Sequence, residues 1–345
     1  MATETASSPL KRSRPRFAAP IWTLLLLAPF IAEILSGSTR TSILFVFIPE
    51  IMVWGAGALM ARELVRRWQA GGLSLLVLGL ALSVAEEFVI QQTSIAPLPF
   101  PGSHADYGRV WGINLVYFLF MLGYESVWVV LVPVQVTELI FPRLREAQWL
   151  RRRGWIVCMV AFLVGSRIAW YGWTQQARPR LGAALYRPPA ALIAGGLTAI
   201  ALLIGLAFLL RSVGQPKAAG PTAPVWAAGL TAAAMGAAWF ELIAQLFIPK
   251  PVEPFGKALA MGGVWAMLAL VLFLWWTSRR AWSDLHRLCA CWGATLACEG
   301  GPYFTIRSWP TVDIVGKAIF DGFAVIGFLW LGWKVVRRKT PITAA

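Results

Sequence analysis

The sequence predicts an all-α, polytopic bundle of transmembrane helices, about ten spans, with both termini in the cytoplasm. Three observations lead there. The chain has 345 residues, of which 58% are hydrophobic and 14% charged, against roughly 45–50% and 25% in a soluble domain. Its mean hydropathy is +0.65, which excludes a disordered chain. Finally, Lys and Arg alternate in density from one inter-span segment to the next, as cytoplasmic and outer loops do.

Taken in order, residues 1–19 read as a disordered basic cytoplasmic tail ending in Lys11-Arg12-Ser13-Arg14-Pro15-Arg16. Apolar runs then place spans at 20–36, 42–61, 72–92, 111–138, 154–174, 188–210, 223–248, 258–277, 284–300 and 314–333, each near the 20 residues that a bilayer requires. The domain is single, 20–338, with a short cytoplasmic tail at 339–345. The basic start, the apolar run 21–32 and the small residues Ser36-Gly37-Ser38 also fit a cleaved signal peptide. Glu33, placed as acids are in later spans, favours a retained helix.

The segments assigned to the cytoplasm hold 21 of the 31 Lys and Arg, those assigned outside hold 9, and Arg167 lies within a span. This asymmetry sets the orientation and calls for an even number of spans. It also gives the net charge of +15 a membrane explanation rather than a nucleic-acid one. Trp68, Trp149, Trp155, Trp226, Trp282 and Trp333 fall near cytoplasmic ends and Trp111, Trp173 and Trp309 near outer ends, an aromatic belt. Arg151, Arg152 and Arg153, between Trp149 and Trp155, are placed to meet anionic lipid headgroups. The partner is therefore the lipid bilayer, with no nucleic acid.

Cys158, Cys289, Cys291 and Cys298 all lie in apolar segments, which argues against a disulfide framework. They read as small buried hydrophobes. No internal repeat emerges. Glu50 and Glu241 alone occupy places that a five-plus-five inverted repeat would relate.

The informative residues are acids inside apolar spans: Glu33, Glu50, Glu86, Glu87, Glu125, Glu241 and Asp321. Charge at that depth is costly and faces a cavity or a partner. At 1.5 Å per residue most of them, and Arg167, fall in the outer half of the membrane. Seven carboxyls cannot all be charged in a low-dielectric layer; protons, bound cations or water must compensate, and Arg167 is expected to pair with one of them. Glu138 lies near a span end and is expected to reach the interface. Ser83, Glu87 and Gln91 form a polar stripe at i, i+4 spacing, as do Glu241 and Gln245. The loop 93–110, with Pro97, Pro99, Pro101, His104 and Asp106, follows the Glu pair and offers itself as a lid.

Glu86-Glu87 followed by Phe120-x-x-x-Tyr124 resembles the CAAX-protease and bacteriocin-processing (CPBP) family of intramembrane proteases, which pairs E-E-x-x-x-R with F-x-x-x-H on a later helix. Gln91 stands where that family has Arg and Tyr124 where it has His, and a third His motif is lacking. The resemblance implies Glu86 and Glu87 as catalytic residues around a metal or water. A site made only of carboxylates suits a hard divalent cation such as Mg²⁺ or Ca²⁺. The segments 62–67 (RELVRR) and 79–87 (GLALSVAEE) also resemble a group of bacterial multi-span membrane proteins that brings no mechanism with it. The second resemblance implies a bacterial inner membrane. The two histidines, His104 and His286, fall on opposite sides of the membrane, and no H-E-x-x-H, G-x-S-x-G or P-loop occurs.

Three readings follow. In the first, a transporter or permease passes a proton, cation or small solute along Glu33, Glu50, Gln91, Tyr124, Glu125, Arg167, Glu241, Gln245 and Asp321. In the second, an altered intramembrane hydrolase is centred on Glu86 and Glu87. In the third, the protein is a membrane scaffold whose acids only pack helices.

Overall fold

The computed structural model describes residues 17–99, 106–213, 219–246 and 253–338. Of the expected tail 1–19, residues 1–16 lie outside the described residues, as do 339–345 and His104 and Pro101 of the loop, while Ala18 and Ala19 already belong to the first helix. The described residues are all-α apart from a hairpin of two two-residue strands, Arg109–Val110 against Ile113–Asn114. Ten helical stretches run in sequence: α1 Ala18–Ile34, α2 Thr41–Arg67, α3 Gly72–Ile90, α4 Leu115–Ile140, α5 Arg152–Arg180, α6 Ala190–Ser212, α7 Val225–Ala244, α8 Phe255–Thr277, α9 Asp284–Gly300 and α10 Thr311–Arg337. Eight of these are long and apolar enough to cross a membrane. The other two are α1, apolar but shorter, and α9, which carries Asp284, Arg287 and Glu299.

Helix starts follow from local chemistry. Pro189, Pro224, Pro254 and Pro310 sit in extended conformation immediately before α6, α7, α8 and α10, where the missing N–H is harmless and the fixed φ feeds the first turn. Ser283 begins α9 with a reciprocal cap in which the His286 ring closes on the Ser283 backbone N–H at 3.2 Å.

Helix α3 is the central strut. Of its most apolar stretch 78% is buried, against 11% for α5, α6 and α8. Those outer helices present Leu202, Leu209, Val160 and Val271 outward, a surface suited to lipid and not to water. Small residues allow the inner helices to approach. A Cβ on Gly79 of α3 would stand 2.7 Å from the Ser126 Cα of α4, and one on Gly293 of α9 would run into the Gly229 carbonyl of α7. One end of the bundle is tied by Arg145–Asp284 at 2.9 Å and by Arg338 donating to the Leu139 carbonyl at 2.8 Å. The opposite end is tied by Ser42 donating to Asp313 and by Arg40 stacked on Trp309 at 4.0 Å.

Candidate functional site

Near that second end, α1 to α4 bring five acids together. Glu33 comes from α1, Glu50 from α2, Glu86 and Glu87 from α3, and Glu125 from α4. Each lies in or next to a π-helical turn: Phe30–Ile34, Ile51–Gly55, Glu86–Ile90 and Glu125–Leu131. π-Turns are rare and concentrate at functional sites. Two of them have a visible cause. Pro29 immediately precedes the first, and Pro49 stands two residues before the second. A proline inside a helix removes a backbone donor and crowds the preceding turn, and a widened turn relieves both.

Glu86, Glu87 and Glu125 are each 1% exposed and Glu50 is 2% exposed, while Glu33 is half-buried. Glu50 accepts a hydrogen bond from the Thr39 hydroxyl, and Glu87 accepts one from Ser94 Oγ at 2.5 Å. Both carboxyl oxygens of Glu86, both of Glu125 and the second of Glu50 have no hydrogen-bond partner. The groups acting electrostatically on Glu86 are Glu87, Glu33 and Glu50, and those on Glu125 are Glu86, Glu87 and Glu33. Among the described residues no Lys or Arg acts on any of the five. Lys317 acts on Cys298, as Glu33 does, but its ammonium is held by Asp321 at 2.5 Å. An isolated ionised carboxylate buried without a partner costs tens of kcal/mol, on the order of its Born energy, so five neighbours in this setting cannot all be charged.

The loop after α3 seals the cluster. Thr93, Ser94, Ile95, Ala96 and Leu98 are buried. The loop is held by Asn114 Nδ2 donating to the Thr93 and Ala96 carbonyls at 3.1 and 2.7 Å, by Arg109 donating to the Ile95 carbonyl at 3.1 Å, and by Arg178 donating to the Pro97 carbonyl at 2.9 Å. The described part of the expected lid is thus a plug, while Asp106 at its far side is exposed.

Tyr124 borders the cluster. Its hydroxyl donates to the Ala32 carbonyl, and its ring stacks between Phe120 and Trp128, with centroids 5.5 and 5.6 Å away. Several expectations need correction. Arg167 does not pair with an acid. It lies exposed on the peripheral α5 and stacks over Trp170 at 4.3 Å, because the face it shares with Trp170 and Tyr171 points away from the core. Glu241 is exposed on α7 and Gln245 is half-buried, so Glu50 and Glu241 have opposite environments. Asp321 is bound by Lys317 and by the Tyr303 hydroxyl at 2.8 Å, outside the cluster. The stripe Ser83–Glu87–Gln91 is broken, since the π-turn inserts a residue and the Gln91 N–H bonds back five residues to the Glu86 carbonyl at 2.9 Å.

Glu138 does not reach the interface either. At the opposite end of α4 it is 1% exposed and bound by Arg62 at 3.2 Å and Arg66 at 2.6 Å. Arg62, fully buried, also binds Glu63 at 2.6 Å and lies over the Trp149 ring at 3.6 Å. Glu63 in turn accepts from the backbone N–H groups of Trp149 and Leu150 at 3.0 Å. Trp149 is therefore a core residue and not part of an aromatic belt. The signal for this network was the pair Arg62 and Arg66 at i, i+4, read in the sequence as flanking charge.

Among the described residues no three His, Cys, Asp or Glu side chains converge to hold one metal ion. All four cysteines are free; Cys158, Cys291 and Cys298 are buried and Cys289 is half-buried. Comparison with known proteins gives no match to a family model, a curated protein or a solved structure.

Proposed function

We propose that the chain is a ten-span protein of the bacterial cell membrane, with both termini in the cytoplasm, and that its five-acid cluster is the proton-binding centre of a transporter. The single observation that carries this reading is the set of unpartnered oxygens on Glu86 and Glu125. A carboxylate buried with no cation and no donor is stable only when something neutralises it, and a proton is the neutraliser that needs no ligand geometry. Glu33, the half-buried member, is the port through which protons enter. Ser94 and Thr39 hold Glu87 and Glu50 in place. The acids that serve transport come from α1 to α4, and Arg167, Glu241 and Asp321 have no part in it. Exposed Arg151, Arg152 and Arg153 at the start of α5 rest against anionic headgroups.

Titration of the purified protein with a pH indicator tests this. Wild type is expected to exchange protons that Glu86→Gln/Glu125→Gln does not, with a matching loss of proton flux in vesicles under an imposed pH gradient. Equal proton exchange in both proteins overturns it. A divalent cation that restores the difference points instead to a cation site at Glu86 and Glu87.

The intramembrane-hydrolase reading has one observation in its favour. Glu86 and Glu87 act directly on Glu125, next to the Tyr124 of the F-x-x-x-Y pair. It requires cleavage of a transmembrane peptide that Glu86→Gln abolishes and Glu50→Gln leaves intact. The scaffold reading requires both substitutions to be silent in every assay.

A further inference from the structure

Helices α3, α4, α7, α8 and α9 do not close on one another along their whole length. Between them lies a cleft of about 1250 Å³, above the roughly 300–1,000 Å³ of a small-molecule pocket. Its walls are largely hydrocarbon, with Leu76, Leu80 and Leu119 along the helices and Phe273 against Gly72 at the start of α3. Its mouth, at the end that holds the Arg62–Glu138 network, is polar: Arg62, Arg66 and Arg287 line it together with Glu138 and Glu146, and both of those acids are already paired with Arg62 or Arg66.

The arginines differ. Arg66 is engaged by Glu138 and Glu146. Arg287 enters none of the ion pairs among the described residues and is half-exposed. Arg145 and Arg66 act on it as well as Asp284 and Glu138. Trp276 also lines the cleft, with an indole N–H that has no acceptor. A guanidinium outside any of those ion pairs, at the polar mouth of a hydrocarbon cleft that also holds an idle indole donor, complements an amphiphile with an anionic head and acyl chains. Glu86 and Glu125 do not line this cleft, so the argument is independent of the proton-binding reading.

We propose that the cleft binds one anionic phospholipid of the surrounding bilayer, its phosphate on Arg287 and its chains along Leu76, Leu80, Leu119 and Phe273. The lipid fills the space between α3–α4 and α7–α8 and holds the two pairs together.

Native mass spectrometry of the full chain, in detergent doped with phosphatidylglycerol or phosphatidylcholine, tests the proposal. One phosphatidylglycerol per chain is expected to survive, bound at least about tenfold more tightly than phosphatidylcholine. Arg287→Gln is expected to remove that preference and Arg287→Lys to keep part of it. Leu80→Trp, with its fold checked by the unfolding midpoint in lipid-free detergent, is expected to displace the lipid while Arg287 is intact. Equal retention of the two lipids overturns the proposal, as does retention unchanged by Arg287→Gln. Loss only in a variant with Arg151, Arg152 and Arg153 all changed to Gln also overturns it, because the lipid then belongs to the exposed start of α5.

Discussion

Glu125 and Glu138 lie on the same helix, roughly 20 Å apart at 1.5 Å per residue, and each is 1% exposed. Glu138 is met by two arginines. Glu125 is met by three other acids, and neither of its oxygens has a partner. Burial alone therefore says little about what an intramembrane acid does. The complement around it decides. An acid balanced by guanidinium is part of the scaffold. An acid surrounded by acids stays only if something neutralises it, and in the proposed reading that species is a mobile proton.

The comparison breaks most sharply at its balanced end. Arg62→Ala leaves Glu63 and Glu138 buried with one guanidinium between them, which should cost about 3–5 kcal/mol and lower the unfolding midpoint more than the loss of any single acid in the five-acid cluster. Removing charge from both sides, as Arg62→Met/Glu138→Gln, should recover part of that loss. At the other end, Glu125→Gln removes no ion pair and supplies a neutral isostere. Its stability should stay within about 1 kcal/mol of wild type, while proton exchange falls. Ser94→Ala and Thr39→Val each remove one hydrogen bond to a cluster acid and should cost about 1 kcal/mol of stability, read from the unfolding midpoint. Arg167→Gln and Glu241→Gln, both exposed, should change stability by no more than about 0.5 kcal/mol and leave proton exchange alone. A large effect from either would show that the cluster extends beyond α1 to α4.

The helices were legible because span length and apolar runs are strong signals, and every expected span overlaps a helix. Glu33, Glu50, Glu86, Glu87 and Glu125 were legible for a related reason: a charge within an apolar run has nowhere ordinary to go. Which face of a helix meets lipid was not legible. Arg167 and Glu241 sit within apolar runs as Glu125 does, yet both are exposed. Arg62 and Glu63 were missed for the opposite reason. They sit where a span ends, and charge there is indistinguishable from a cytoplasmic flank until the 144–150 segment is seen to fold over it. The π-turns were not read either, although Pro29 and Pro49 inside apolar runs marked two of the places where regular i, i+4 spacing fails.

The most direct test sets Glu125→Gln beside Glu138→Gln, two identical chemical changes on one helix, and measures proton exchange and unfolding midpoint on each. The account predicts that Glu125→Gln loses exchangeable protons and keeps its midpoint, while Glu138→Gln keeps its protons and loses its midpoint. The reverse pattern, or the same pattern from both, would contradict it.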